Sequence, residues 1–167
     1  KVGDGMFRIM MVHQERYRVI PVSVQRFDRS LENPAAATVF GSHNHDSLEI
    51  LFLREGVMEV RLDGQPYRLH AGDAVVVNPY VSHFALFVPD EDERAFYDCL
   101  MLEPSQYALG FSQSLFDTLL DEVRQGNRRF APIWHAHSDQ TVQLTETLSK
   151  IKLLFDTSDD GSAVLEA

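Results

Sequence analysis

The chain has 167 residues, enough for one domain of ordinary size with a short appended segment. Its 44% hydrophobic and 24% charged residues exclude a disordered chain, and its single cysteine, Cys99, excludes a disulfide framework or a multi-cysteine zinc site. Asp and Glu number 25 against 15 Lys and Arg, and a net charge of −10 repels phosphate backbones, so the chain is not expected to bind DNA or RNA by itself.

No apolar stretch approaches the roughly 18 residues that span a bilayer. The opening KVGDGMFRIMMV has no small-residue cleavage site, and with one cysteine the expected compartment is the cytoplasm. The chain opens on Lys1 and stops at Ala167, and it is read as part of a longer protein.

Composition changes near residue 104. Before it, β-branched and aromatic runs alternate with turn signals, which predicts short strands. YRVIPVSVQRF (17–27) is interrupted by Pro21, which suits an edge strand or a bend. SLEILFL (47–53) and GVMEVRL (56–62) are separated by Arg54-Glu55-Gly56 and read as two strands. Asp63-Gly64 is a two-residue hairpin signal leading to PYRLH (66–70). AVVVN (74–78), HFALFV (83–88) and AFYDCLML (95–102) complete the series. Strands this short with no helix between them predict an antiparallel sandwich or small barrel. Leu48 to Leu53 is apolar on both faces, so that strand is expected to be covered on both sides.

Beyond residue 104 the spacing becomes helical. Ser112 is placed to cap a helix to about Gln125 with the stripe Leu115, Phe116, Leu119, Leu120 and Val123. Ser138 is placed to cap a second helix to about Asp156, with Leu144, Leu148, Ile151 and Phe155 as its stripe. That stripe suits either docking on the chain's own barrel or a helix from a second subunit, which makes a homodimer the expected state. Thus 1–108 forms the barrel, 109–156 a helical docking or dimerisation segment, and 157–167 the start of a linker.

Candidate chemistry sits in His43-Asn44-His45-Asp46-Ser47-Leu48-Glu49, with His83 on a later strand. Side chains two apart on a strand share a face, so His43, His45 and Glu49 are read as one row, with His83 opposite. Three imidazoles and a carboxylate on one inner face suit a divalent metal such as Fe, Mn, Zn or Ni. His135-Ala136-His137 is read as a solvated loop, and Cys99 as a small buried hydrophobe.

HNHDSLEILFLREG has the pattern His-x-His-x3-Glu-x6-Gly and resembles the first signature of the cupin barrels, while GDAVVVNPYVSH (72–83) resembles the second. The run over 35–103 resembles the N-terminal sensor domain of AraC-type bacterial transcription regulators. There are departures: Ala37 stands where the first signature opens with glycine, Pro79-Tyr80 replaces a Pro-Gly turn, and Phe87 replaces an asparagine. The resemblance implies a mainly β, antiparallel cupin-type barrel (double-stranded β-helix or jelly roll) followed by α-helices. It implies a non-enzymatic domain that binds a small-molecule effector and dimerises. DNA would be read only through a helix-turn-helix domain beyond this chain. The effector is expected against His43, His45, Glu49 and His83, with walls from Phe52, Tyr67 and Phe84 or their strand neighbours. No cofactor is expected, with a metal on the same four residues as the alternative. The rival function is a metal-dependent cupin dioxygenase or isomerase.

Overall fold

The computed structural model describes residues 22–30, 38–88, 94–102 and 115–157. Eight strands and two helices follow in chain order: β1 Val22–Ser30, β2 Thr38–His43, β3 Leu48–Leu62, β4 Gln65–His70, β5 Ala74–Val77, β6 His83–Phe87, β7 Arg94–Leu102, α1 Leu115–Arg124, β8 Ile133–Trp134 and α2 Asp139–Thr157. Every strand pairing is antiparallel.

The long strand β3 organises the barrel. Its first part pairs with β5 and β7, and its second with β4 and β6. One layer therefore runs β1-β7-β3-β5-β8, while β2 and β4 join the other through β6 and β3. The sequence suggests two strands broken at 54–56, but the ladder to β7 continues through a register shift between Leu53 and Glu55. Gly56, at φ 90°, occupies a conformation that disfavours any side chain, so the strand bends across the bulge without ending. At the next corner Asp63 (φ 46°) and Gly64 (φ 83°) supply the two positive φ values of a tight hairpin turn.

The bulge also exchanges the faces of β3. Before it, odd-numbered Leu51 and Leu53 point into the barrel; after it, even-numbered Met58, Val60 and Leu62 do. They pack with Leu69, Val75, Val77, Ala85, Phe87, Tyr97 and Cys99 as the inner core. Leu48, Ile50 and Phe52 point the other way and pack with Ala74, Val76 and Leu100 under Val123, Leu144 and Leu148. The apolar run 48–53 thus serves two cores at once.

The helical segment is fastened to β5. Ser138 caps α2, its Oγ accepting the amide of Thr141 at 3.3 Å. Leu144 and Leu148 are taken up by the chain's own sheet, which is the docking alternative for that stripe. Ile151 and Phe155 fall on the last turns of α2, where side chains lie outside the described residues, as do Ser112 and the linker from 158 onward. Strand β8, which has no clear signal in the sequence, pairs with β5 through Ala74–Trp134 and Val75–Ile133. Asp73 accepts the Ala136 amide at 2.8 Å. Asn78 closes a two-bond ring with the backbone of Phe130, donating through Nδ2 at 3.1 Å and accepting at Oδ1 at 3.0 Å.

Replacing Asn78 with alanine strands one peptide donor and one acceptor in a partly buried seam. The expected cost is about 1–3 kcal/mol, read as a lower urea midpoint with an unchanged slope. An unchanged midpoint would show that the seam does not depend on this pairing.

Candidate functional site

Four side chains from different parts of the chain meet at one end of the inner core. His43 ends β2 and lies directly opposite His83, the first residue of β6. Glu49 is the second residue of β3, with Val77 of β5 on one side and Met101 of β7 on the other. His45 is not on a strand with His43: β2 has ended, and His45 sits in the connection to β3. It reaches the cluster because that connection turns back on itself. The ring centroids of His43 and His83 are 4.1 Å apart, and those of His45 and His83 5.0 Å. One ligand-type atom from each of the four residues lies within 4.8 Å of the others.

The same hydrogen-bond pattern recurs on all three imidazoles. Nδ1 of His43 faces the Gly41 carbonyl at 2.8 Å, Nδ1 of His45 the Ser47 carbonyl at 3.1 Å, and Nδ1 of His83 the Val81 carbonyl at 3.0 Å. A carbonyl only accepts, so each Nδ1 carries the hydrogen, and in the neutral ring Nε2 is left with a lone pair. The Nε2 atoms of His45 and His83 both lie 2.9 Å from Oε2 of Glu49. His83 is fully buried, and its Nε2 makes no hydrogen bond despite that approach. On the far side of the carboxylate, the Cys99 thiol donates to Oε1 at 2.9 Å.

Lone pairs and a carboxylate brought this close repel unless a positive centre lies among them. A proton on His45 is one solution. The hydrogen bond to Glu49 raises the basicity of His45 above the ordinary value of 6.5, against an opposing effect of burial. For Glu49, burial is the largest influence and opposes ionisation. The contacts of His45, His83 and Cys99 together outweigh it and hold the carboxyl well below its ordinary value of 4.5. A divalent cation is the other solution, and the donors fit one: three imidazole nitrogens, each with its opposite N–H tied to a carbonyl, plus one carboxylate oxygen.

A second buried carboxylate makes the contrast plain. Asp98, on the outer face of β7, is bound by the guanidinium groups of Arg26, at 2.7 Å, and Arg54. Its partners carry permanent positive charge. Glu49 has no Arg or Lys partner among the described residues, so its charge balance depends on protons or on something bound.

The cluster opens outward. His43 is exposed, His45 half-buried, Glu49 and His83 buried. Beside it, Tyr80 donates its amide to the His45 carbonyl at 2.7 Å and holds φ at 64°. That conformation suits the glycine of the Pro-Gly turn, yet here a tyrosine adopts it with its side chain largely in solvent.

The aromatic walls expected from the sequence need correction. Tyr67 does pack against the inner core. Phe52 lies on the opposite face of β3, under the helices, and Phe84 alternates out of the barrel between inward His83 and Ala85, with Arg61 5.9 Å from its ring. The rings beside the histidines are those of Phe40, 5.8 Å from His43 and 6.0 Å from His83, and behind it Tyr97. Cys99 is buried as expected but is no inert hydrophobe, since its thiol is part of the cluster. Nothing local in the sequence marks that contact, since only the pairing of β7 with β3 brings Cys99 to Glu49.

The pattern of the AraC-like ligand binding domain family matches residues 29–163, which takes in β2 to β8 and both helices. No curated protein matches the sequence. Among solved structures, a cupin protein from Bacteroides fragilis shares 18% identity over 57% of this chain and 74% of its own, with a TM-score of 0.43. An RmlC-like cupin family protein of double-stranded β-helix fold from Methanocaldococcus jannaschii shares 14% over 61% of this chain and 84% of its own, at 0.44. A predicted oxalate decarboxylase from Thermotoga maritima shares 16% over 49% and 64%, at 0.38. None of the three bears on what this chain binds.

The pair His45–Glu49 predicts a stability window. Glu49, with its pKa depressed on folding, contributes stability that is complete above its ordinary value of 4.5 and lost as pH falls through the folded value. His45, with its pKa raised, contributes fully below 6.5 and loses that contribution as pH rises through the folded value. Both contributions are complete between those two ordinary values. Denaturant midpoints across pH should therefore fall on either side of that window, and Glu49→Gln should flatten the profile. A Glu49→Gln profile parallel to that of the unaltered protein would contradict the coupling.

Proposed function

Because the chain belongs to the family of AraC-like ligand-binding domains, we propose that it is the effector-sensing domain of a transcription regulator, with the His43, His45, Glu49 and His83 cluster as its ligand site. The observation that carries this reading is the convergence of imidazole lone pairs on one buried carboxylate at an opening of an otherwise apolar barrel. A structural polar cluster satisfies its own donors and acceptors; this one leaves His83 Nε2 without a hydrogen bond.

The chemistry selects the kind of ligand. With each Nδ1–H already tied to backbone, the neutral imidazoles present lone pairs beside the Glu49 carboxylate, so an effector meets them with a cationic or donor-rich part: an ammonium, a polyol or a bound metal. Anions alone are repelled. A divalent Zn, Ni, Fe or Mn ion would be held by His43, His45, Glu49 and His83 and would supply a Lewis-acidic centre. The three backbone-tied imidazoles favour this metal-bearing version, and it also keeps a metal-dependent enzyme as the rival reading.

Signalling runs through β5. Its inward Val75 and Val77 belong to the core that holds the site, and its ends carry the Asp73 and Asn78 attachments of the helical segment. An effector that binds one arrangement of that seam tenfold better than another shifts the balance by about 1.4 kcal/mol. The −10 charge suits a domain that senses while a separate helix-turn-helix domain, in a cytoplasmic homodimer, contacts DNA.

Calorimetric titration with divalent cations and with a panel of amines and polyols tests the site. Binding to the unaltered chain is expected, with His45→Ala weakening it at least about tenfold. A ligand whose affinity is untouched by both His45→Ala and His83→Ala would place the site elsewhere. Metal-dependent turnover of a substrate would move the assignment to the enzyme.

A further inference from the structure

We propose that Cys99 is a positioning residue of the barrel site: its thiol anchors one oxygen of Glu49 so that only the other faces the imidazoles. The inference rests on the binding reading above but is read from separate atoms. Oε1 of Glu49 takes the Cys99 S–H at 2.9 Å, while Oε2 stands 2.9 Å from both His45 Nε2 and His83 Nε2. Among the described residues no other hydrogen bond reaches Oε1, so the thiol is what divides the two oxygens between their tasks. The second observation is His83 Nε2, fully buried, without a hydrogen bond and 2.9 Å from Oε2. An atom so placed can meet a ligand only if Oε2 stays where it is.

The thiol is suited to this task. It is 5% exposed on the inward face of β7, so the ring of contacts around it fixes its rotamer. A carboxylate oxygen only accepts, so at 2.9 Å the thiol is the donor of this bond. A carboxylate anchored at one oxygen offers a bound cation a single oxygen beside three nitrogens. Released, it turns freely between one-oxygen and two-oxygen contact, and the site loses its preorganisation.

The test uses Cys99→Ser, which keeps a donor, Cys99→Ala, which removes it, and Glu49→Gln. Because the chain has one cysteine, its infrared S–H stretching band is single and belongs to Cys99. The band should be shifted to lower frequency in the ligand-free protein and should move in Glu49→Gln. With Co²⁺ as the probe, Cys99→Ala should bind about ten- to a hundredfold more weakly, and Cys99→Ser should recover most of that loss. Unfolding curves of the variants separate this from collapse of the fold, which would not distinguish serine from alanine by donor capacity. An unshifted S–H band overturns the proposal, as does a Cys99→Ala variant that binds Co²⁺ like the unaltered protein. If the unaltered protein takes no Co²⁺, the cation reading of the site fails, and the thiol assignment stands or falls on the band alone.

Discussion

Burying the Glu49 carboxylate inside an apolar barrel is the constraint from which most of the site follows. Transferring an ionised carboxylate out of water costs several kcal/mol even after relaxation, and the cost falls only when donors or cations surround it. Asp98 meets that requirement with two guanidinium groups at the barrel exterior. Glu49 meets it with a thiol and with His45 and His83, of which His45 is made more basic by its hydrogen bond to the carboxylate. The first arrangement is closed and permanent. The second responds to pH and to whatever positive group enters.

The architecture around Glu49 explains how so distributed a cluster forms. Strand β3 crosses from one sheet to the other at a glycine bulge, bringing β5, β6 and β7 against one strand. His83, Cys99 and Glu49 are thereby fixed on rigid ladder positions, and His43 is fixed by its pairing with His83. His45 is the exception, held by its own Ser47 carbonyl bond and by the Tyr80 amide on its backbone. Strand β5 then carries the helical segment on its other side, through β8 pairing and the Asn78 and Asp73 attachments. Site and helices thus share one strand, so a change at either is felt along a short path of hydrogen bonds.

Much of this was legible in the sequence, for physical reasons that also mark where legibility stopped. The spacing of His43, His45 and Glu49, with His83 downstream, named the four residues that meet, because ligand-type side chains are uncommon in apolar strands. The period-two argument that placed them failed in detail. His45 sits outside any strand, and the bulge at 54–56 exchanges the faces of β3, a step no alternation pattern records. The face of Phe84 depends on its register, which the pairing of Arg61 with Phe84 and of Leu62 with His83 fixes. Cys99 gave no local sign of its partner, since Glu49 lies fifty residues away and only the β3–β7 ladder joins them. The stripe of α2 stated that Leu144 and Leu148 are buried without stating against what; the outward face of Leu48, Ile50 and Phe52 supplies the answer.

His45 and His83 bring Nε2 to 2.9 Å from Glu49 Oε2, and with Nδ1 of all three histidines facing a backbone carbonyl the site awaits a positive centre. Nitrogen-15 NMR of the histidine side chains in the ligand-free protein reads this directly, since protonated and bare ring nitrogens differ widely in chemical shift. At a pH where the rings are neutral, hydrogen is expected on Nδ1 and a lone pair on Nε2 for His43, His45 and His83. A hydrogen on Nε2 of His83, with Nδ1 bare, would instead make the cluster a self-satisfied polar core with no place for a positive centre.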